Sequence, residues 1–311
     1  MISLAQYRGK IACVGEVMVE VSDALQGGLR FAGDSFNTAL YMKRLLPNAH
    51  IDYVSALGDD ALSDQIIALM KKEGMGIQTT MRIPGALPGL YMIVTDEDGE
   101  RSFYYWRENS AARQFFHTPT DFSQISLSPY GLVYFSAITL ALMGEDVRKL
   151  WRDKLQAYRK NGGLVAFDSN YRPALWRKNA AEIITEFWQN CDIALPSAND
   201  EMAIYGDKDF ACICARLRGW GLEKGAVKRG ALGPIDLQMQ HDQPYKKVER
   251  PIDTTAAGDS FNAGFLAANL AGGSLPDALQ HGHELASKVI QHSGAIIPQG
   301  QWHFHEGQAL R

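Results

Sequence analysis

Four cysteines, Cys13, Cys191, Cys212 and Cys214, are all that the 311 residues contain. They are too few for a disulfide scaffold and show none of the paired spacings of a zinc site, so they read as reduced, mostly buried thiols. A long apolar run is missing too. No stretch approaches the ~18 residues that a membrane span needs, and MISLAQYRGK has no apolar segment after its charges as a secretory signal would. A cytoplasmic chain is expected. A large excess of charge of one sign is also missing: a net charge of -4 offers no global field to nucleic acid or to an anionic membrane, so neither is expected as a partner. A small anionic substrate stays compatible. The sharpest nucleotide motifs are missing as well. G-x-x-x-x-G-K-[ST] occurs nowhere, which argues against a P-loop enzyme, and only Gly15 follows the first apolar stretch where a dinucleotide fingerprint needs a glycine series. There is no internal repeat, low-complexity tract or obvious interdomain linker.

What is present is a hydrophobic content of 46%, enough for a substantial core, and a regular alternation. IACVGEVMVEV, residues 11 to 21, reads as one nearly continuous apolar strand covered on both faces. SFNTALYMKRLL follows as a helix ended by Pro47, then IDYVSALG as a strand and DALSDQIIALMKKEG as a helix stopped by Gly74 and Gly76. LVYFSAI, a helix over 145 to 160, GGLVAFD, a helix around 180 to 189 and DIALP continue the pattern. Such alternation predicts a parallel sheet with helices on both faces. One segment breaks the rhythm. LYMIVTDEDGERSFYYWR, residues 90 to 107, reads as a hairpin turning at Asp98-Gly99. A hairpin cannot enter a parallel sheet through a short connection, so it is expected outside the sheet as a lid over a site; the alternative is an edge hairpin with no role in binding.

DTTAAGDSFNAG, residues 253 to 264, sets two aspartates around small residues ahead of an apolar helix. If Asp259 opens that helix, the amides of Ala256, Ala257 and Gly258 lie at its positive end and form an anion site that a phosphate can approach closely. A carboxylate in the first turn then reaches a hydroxyl attacking that phosphate. The structural alternative is an acidic residue that only complements the helix dipole, beside a glycine that allows a tight turn.

DTTAAGD is similar to the second signature of the ribokinase-like (PfkB) carbohydrate kinases, D-T-x-G-A-G-D, with Ala256 in place of the first glycine. AGDSFNTA, residues 32 to 39, resembles the first signature; VKRGALG, residues 227 to 233, resembles the nucleotide-side turn V-K-x-G-x-x-G; DSNYRP, residues 168 to 173, and the lid-like hairpin match as well. The resemblance runs over almost the whole chain. It implies one domain over residues 1 to 311: a ribokinase-like α/β fold, a three-layer α/β/α sandwich with a mostly parallel central sheet, and a small β-sheet lid from about 16 to 32 and 88 to 108. By the same resemblance Asp259 is the catalytic base and the amides of residues 256 to 259 are the anion hole. Gly33, Asp34 and Asn37 bind sugar hydroxyls. Lys228, Gly230 and Gly233 flank the ATP phosphates and ribose with Ser197 nearby, and the helix in LPDALQHGHELASKVIQHSG supplies part of the adenine pocket.

Magnesium is held largely by the nucleotide phosphates in this family. The helper motif N-x-x-E is degraded here to Ser197 and Asp200, which leaves Asp200 as a lesser ligand candidate and Ser197 equally readable as a helix cap. Some relatives bind a monovalent cation near the Asp253-Thr255 turn, which the sequence does not decide. Plain structural readings stay open for Asn37 as a helix-start hydrogen bonder, Tyr91 as lid core, and Gly230 and Gly233 as turn residues. His281, His283 and His292 have no Cys or carboxylate partner at metal spacing and read as packing or solvated residues.

The substrate has to be read from the lid. Alternation in FYYWR puts Phe103, Tyr105 and Arg107 on one face, Tyr104 and Trp106 on the other. A guanidinium beside a tyrosine hydroxyl suits an acidic sugar better than a neutral one, because a charge-assisted bond contributes about 1.5–3 kcal/mol. Arg172 is a second such donor. FYYWR after PGLY, together with VIQHSGAIIP, most resembles the branch of the family that acts on 2-keto-3-deoxy sugar acids. That implies ATP-dependent phosphorylation of the 6-hydroxyl of 2-keto-3-deoxy-D-gluconate, with Tyr91, Tyr105, Arg107 and Arg172 on the acid end and the chain. Two alternatives stand: a kinase for fructose or ribose, with Arg107 in a structural ion pair, and a silent sugar-binding protein. Family members pair their lids across subunits in some cases, and an aromatic-rich exposed hairpin gains from cover, so a homo-oligomer is expected.

Overall fold

A computed structural model describes residues 9–22, 29–95, 101–176 and 178–299. Among these residues twelve strands run in chain order as β1 Lys10–Val14, β2 Met18–Ser22, β3 Leu29–Ala32, β4 His50–Leu57, β5 Thr80–Arg82, β6 Gly89–Thr95, β7 Arg101–Trp106, β8 Leu132–Ser136, β9 Leu164–Asp168, β10 Ile193–Leu195, β11 Lys224–Val227 and β12 Ile235–Asp236. Eight of them form one sheet in the order β12-β11-β10-β9-β8-β1-β4-β5. Its pairs are parallel except that β12 runs antiparallel to β11. Side chains alternate between two cores: Val133 and Phe135 point to one, Leu132 and Tyr134 to the other. The first core takes helices such as Glu145–Lys160, which buries Val147, Trp151, Leu155 and Tyr158 along one stripe. The second takes Asp34–Leu45, Ala61–Lys72, Ala257–Leu270 and Leu275–Val289. Sheet and helices thus form three layers.

The apolar run 11 to 21 is two strands, not one. β1 stays in the central sheet, while β2 leaves for a second sheet of order β3-β2-β6-β7. Gly15 marks the departure, since a Cβ there would lie 1.9 Å from Ser35 Oγ. An apolar run long enough for a strand covered on both faces conceals this because both halves are buried, in different sheets. β6 and β7 are the antiparallel arms of the expected hairpin; its Asp98-Gly99 turn lies outside the described residues. Met18, Ala32, Tyr91, Ile93 and Ala295 pack the small sheet onto the main body, with Ala256 against them.

β1 lies between β8 and β4. The chain continues outward through β4 and β5 on one side and through β8 to β11 on the other, so the strand order reverses at β1. Open parallel sheets bind ligands at the carboxyl ends of the strands beside such a reversal. No described helix is long and apolar enough to cross a membrane.

Candidate active site

The strand ends bring distant residues together: Ser136 ends β8, Asp168 ends β9, Ser197 follows β10 and Lys228 follows β11. Two helix N-termini complete this floor, one opening at Asp34 and the other at Ala257. Ala256 is the N-cap of the latter with φ 60° and ψ 15°, in the left-handed region that favours glycine, which is the residue the family signature carries there. The amide of Ala257 donates to Thr254 O at 3.2 Å. Among the described residues the amides of Ala256, Gly258 and Asp259 engage no acceptor. Of the four amides expected to form the anion hole, those of residues 256 to 259, one is thus engaged within the turn.

Asp259 is buried and accepts from Asn37 Nδ2 at 2.8 Å. Asn37 is thus engaged with the carboxylate, while its Oδ1 takes a long 3.4 Å bond from the Gly33 amide. Burial, then the charges of Asp34 and Asp168, push the Asp259 pKa up to about 8; the Asn37 bond and Lys228 pull the other way. Asp34 is also raised, chiefly by burial; it accepts from Ser136 Oγ, and from Asn170 Nδ2 at 3.2 Å. Lys228 Nζ donates to Asp168 Oδ1 at 2.7 Å and lies 3.0 Å from Asn262 Oδ1. Asn262 Nδ2 reaches Asp168 Oδ2 at 2.7 Å. A cation and an amide thus hold one buried carboxylate next to another, Asp259, that pairs with no cation among the described residues.

On the nucleotide side, the Lys228 amide donates to Pro196 O at 2.8 Å and Ala198 N to Lys228 O at 2.9 Å, which joins the two expected segments. Ser197 occupies the N-cap of Ala198–Tyr205, but its side chain makes no capping bond. Asp200 accepts from Tyr171 N at 3.1 Å, and burial followed by Asp168 raises its pKa. Gly230 and Gly233 both have positive φ, and a Cβ at Gly233 would lie 2.3 Å from the Tyr245 ring. Asp253 accepts from the amides of Thr255 at 2.9 Å and Gly294 at 2.8 Å. The His283 ring packs at a tilt against Tyr245, 4.8 Å between centroids, and its Nε2 lies 2.8 Å from Lys246 O.

Over the floor, buried Tyr91 donates its hydroxyl to Glu20 and stacks at a tilt on Tyr105, 5.9 Å between centroids. Burial pushes the Tyr91 hydroxyl well above the ordinary tyrosine range. Arg107 is not a free guanidinium on the strand face. It is 5% exposed and ion-paired with Glu16, whose other oxygen accepts from Ser110 Oγ. Its charge is still felt at Asp34, where it offsets a little of the rise that burial causes. Arg172 stays apart from this group: it is exposed, donates to Tyr171 O at 3.0 Å, and its charge is felt by Asp200. Sequence reasoning passed over Glu16, Glu20, Ser136 and Tyr134, whose hydroxyl accepts from Asn262 Nδ2 at 3.1 Å. It quoted Asp168 and Asn262 inside motifs without giving either a role; the one local signal was Asn262 standing on the helix of Asp259.

A pfkB family carbohydrate kinase model matches residues 8–302. The 2-dehydro-3-deoxygluconokinase of Escherichia coli is 41% identical over 302 residues, 93% of this chain and 97% of that one. The enzyme of the same name from Dickeya dadantii is 40% identical over 301 residues, covering 93% and 96%. Among solved structures, the 2-dehydro-3-deoxygluconokinase of Thermotoga maritima superposes with a TM-score of 0.79 at 19% identity, over 93% of this chain and 94% of that one. The fold is ribokinase-like.

Proposed function

This chain belongs to the pfkB family of carbohydrate kinases, and from that premise we propose that it phosphorylates 2-keto-3-deoxy-D-gluconate on its 6-hydroxyl with ATP, releasing ADP and a proton. The observation that carries the chemistry is Asp259 at a helix N-terminus, held by Asn37 beside amides that have no acceptor. Relatives at 40–41% identity that bear the name 2-dehydro-3-deoxygluconokinase support the substrate.

Asp259 accepts the hydroxyl proton as the oxygen bonds to phosphorus. A carboxylate pushed up to about 8 holds that proton better than an ordinary one. The amides of Ala256, Gly258 and Asp259 face the charge that develops on the transferred group. Lys228 adds its own, since its Nζ would be 3.8 Å from a Cβ at Gly258. Gly33 and Asp34 meet the sugar, Tyr91 and Tyr105 cover it, and Arg107 faces the acid end. Arg172, lying by Asp200, serves the nucleotide side as well as it serves the acid. ATP with magnesium supplies the phosphoryl group and neutralises its oxygens. Lys228, Gly230, Gly233 and Ser197 would hold that nucleotide. Magnesium would come with those phosphates, and Asp200 would be the carboxylate at hand for it. A second copy of this chain covers the exposed aromatics of β7.

ADP release with 2-keto-3-deoxygluconate, gluconate, fructose and ribose, with Asp259→Asn as the blank, tests this reading. Strong preference for the keto-deoxy acid is expected. Turnover on fructose or ribose instead would leave Asp259 in place and remove the acid-recognising role of Arg107; silence on all four would contradict the kinase chemistry.

A further inference from the structure

We infer that Glu16 is a positioning residue: it ties the lid to the core at one point and fixes Arg107 for the acid end of the substrate. The Arg107 half of this rests on the reading just given; the hinge half rests on geometry alone. Glu16 lies just beyond the carboxyl end of β1, where the strand order reverses, and is 2% exposed.

Every passage of the chain between the two sheets converges on it. It stands two residues before β2. Gly33, just after β3, comes so close that a Cβ there would lie 2.1 Å from the Glu16 carbonyl oxygen. Gly89, which opens β6, would place a Cβ 2.8 Å from Glu16 Oε1. Arg107, just after β7, pairs with Oε2. Ser110, which donates to Oε1, also caps the helix Ala111–Phe115, whose Ala111, Ala112 and Phe115 belong to the main core. One carboxylate therefore bonds the end of a lid strand and the start of a core helix together.

Arg107 shows what the tie is for. Its Nε is buried and has no hydrogen-bond partner among the described residues, while Glu16 occupies only Nη2. A buried guanidinium N–H left unengaged is costly, and a planar fork with donors to spare matches a carboxylate. Asp34, a sugar-side residue, feels the same charge. Glu16 offsets the burial of Arg107 before substrate arrives and leaves its remaining donors for the acid. Without Glu16 the guanidinium is left as an uncompensated buried charge, free to turn away.

The test is the ratio of kcat/KM for 2-keto-3-deoxygluconate to that for fructose in Glu16→Gln, Glu16→Ala, Arg107→Ala and the Glu16→Gln/Arg107→Ala pair. Amide hydrogen exchange of residues 89–94 and 102–106 is followed alongside. Glu16→Gln keeps the volume and one acceptor oxygen, so it folds even where the alanine does not. The ratio should fall about tenfold or more in Glu16→Gln, through KM of the acid, and the pair should fall no further than Arg107→Ala alone, as coupled neighbours do. Both lid strands should exchange faster in Glu16→Gln. An unchanged ratio with only a lower Tm would overturn the positioning role. Unchanged exchange would overturn the hinge. If Arg107→Ala itself leaves the ratio untouched, it is the acid-recognition reading that fails, and the exchange result alone then decides the role of Glu16.

Discussion

Asp259, Asp168, Asn37 and Asn262 are all buried, each bonded to another residue of the floor, whereas β7 above them exposes Tyr104 by 52%, Tyr105 by 50% and Trp106 by 58%, so that neither of its faces is covered. The floor is fixed by hydrogen bonds whose loss would leave buried polar groups unpaired. The lid is fixed at its root, on Glu16 and on the patch around Tyr91, and open along its edge. On the proposed function the difference separates two tasks: positioning one carboxylate against one phosphate would need a rigid floor, while accepting and enclosing a particular sugar would need a part that is free to close.

The largest effect should come from the floor. Asp259→Asn is expected to lower kcat by about 10²–10⁴, the range for a general base, with sugar binding by calorimetry changed only a few-fold. Next comes the root of the lid: Arg107→Ala should raise KM for sugar acids by roughly 10- to 100-fold, the equivalent of one charge-assisted bond. Equal loss on fructose in steady-state assays would assign Arg107 to stability instead.

The pH profile sharpens the contrast. Asp259 must be ionised to take the proton, and its pKa is pushed up to about 8, so kcat/KM should climb with pH and level off above that point. Asp168→Asn removes a like charge and frees Lys228, and should move the midpoint to lower pH; an unmoved midpoint assigns the titration to another group.

The same group has a stability cost. Its folded pKa lies above the unfolded value of about 3.9, so the folded state binds the proton more tightly and loses stability as pH rises from about 4 to about 8. Asp259→Asn should be more thermostable than the parent, with a Tm gain that grows toward alkaline pH by about 2–4 °C per kcal/mol recovered. A gain that shrinks with pH in calorimetry would contradict the sign. The smallest change is Ala256→Gly. Relief of the positive φ and the greater chain entropy of glycine nearly cancel, leaving stability within about 1 kcal/mol in denaturant titrations.

One part of the floor was legible in the sequence because its signature is local: the small residues before Asp259 and the helix after them follow one another in the chain. Its cross-links were not. Asn37 and Asp259 are 222 residues apart, and Asn262 and Asp168 are 94 apart, distances over which only a fold or a family pattern speaks. The helix 145–160 was plain from its stripe, whereas the split of 11–21 was hidden by continuous burial. The lid was legible as a hairpin but not in the ion pair at its root, because alternation sorts faces only when one face is covered, and Arg107 finds Glu16 91 residues away in the sequence.

The central claim, that the floor performs the transfer and the root of the lid chooses the sugar, is tested most directly by kcat/KM on 2-keto-3-deoxygluconate and on fructose in Asp259→Asn and Arg107→Ala. The account predicts that Asp259→Asn depresses both substrates in proportion and leaves their ratio unchanged, while Arg107→Ala collapses the ratio. A ratio changed by Asp259→Asn, or a proportional loss in Arg107→Ala, would contradict it.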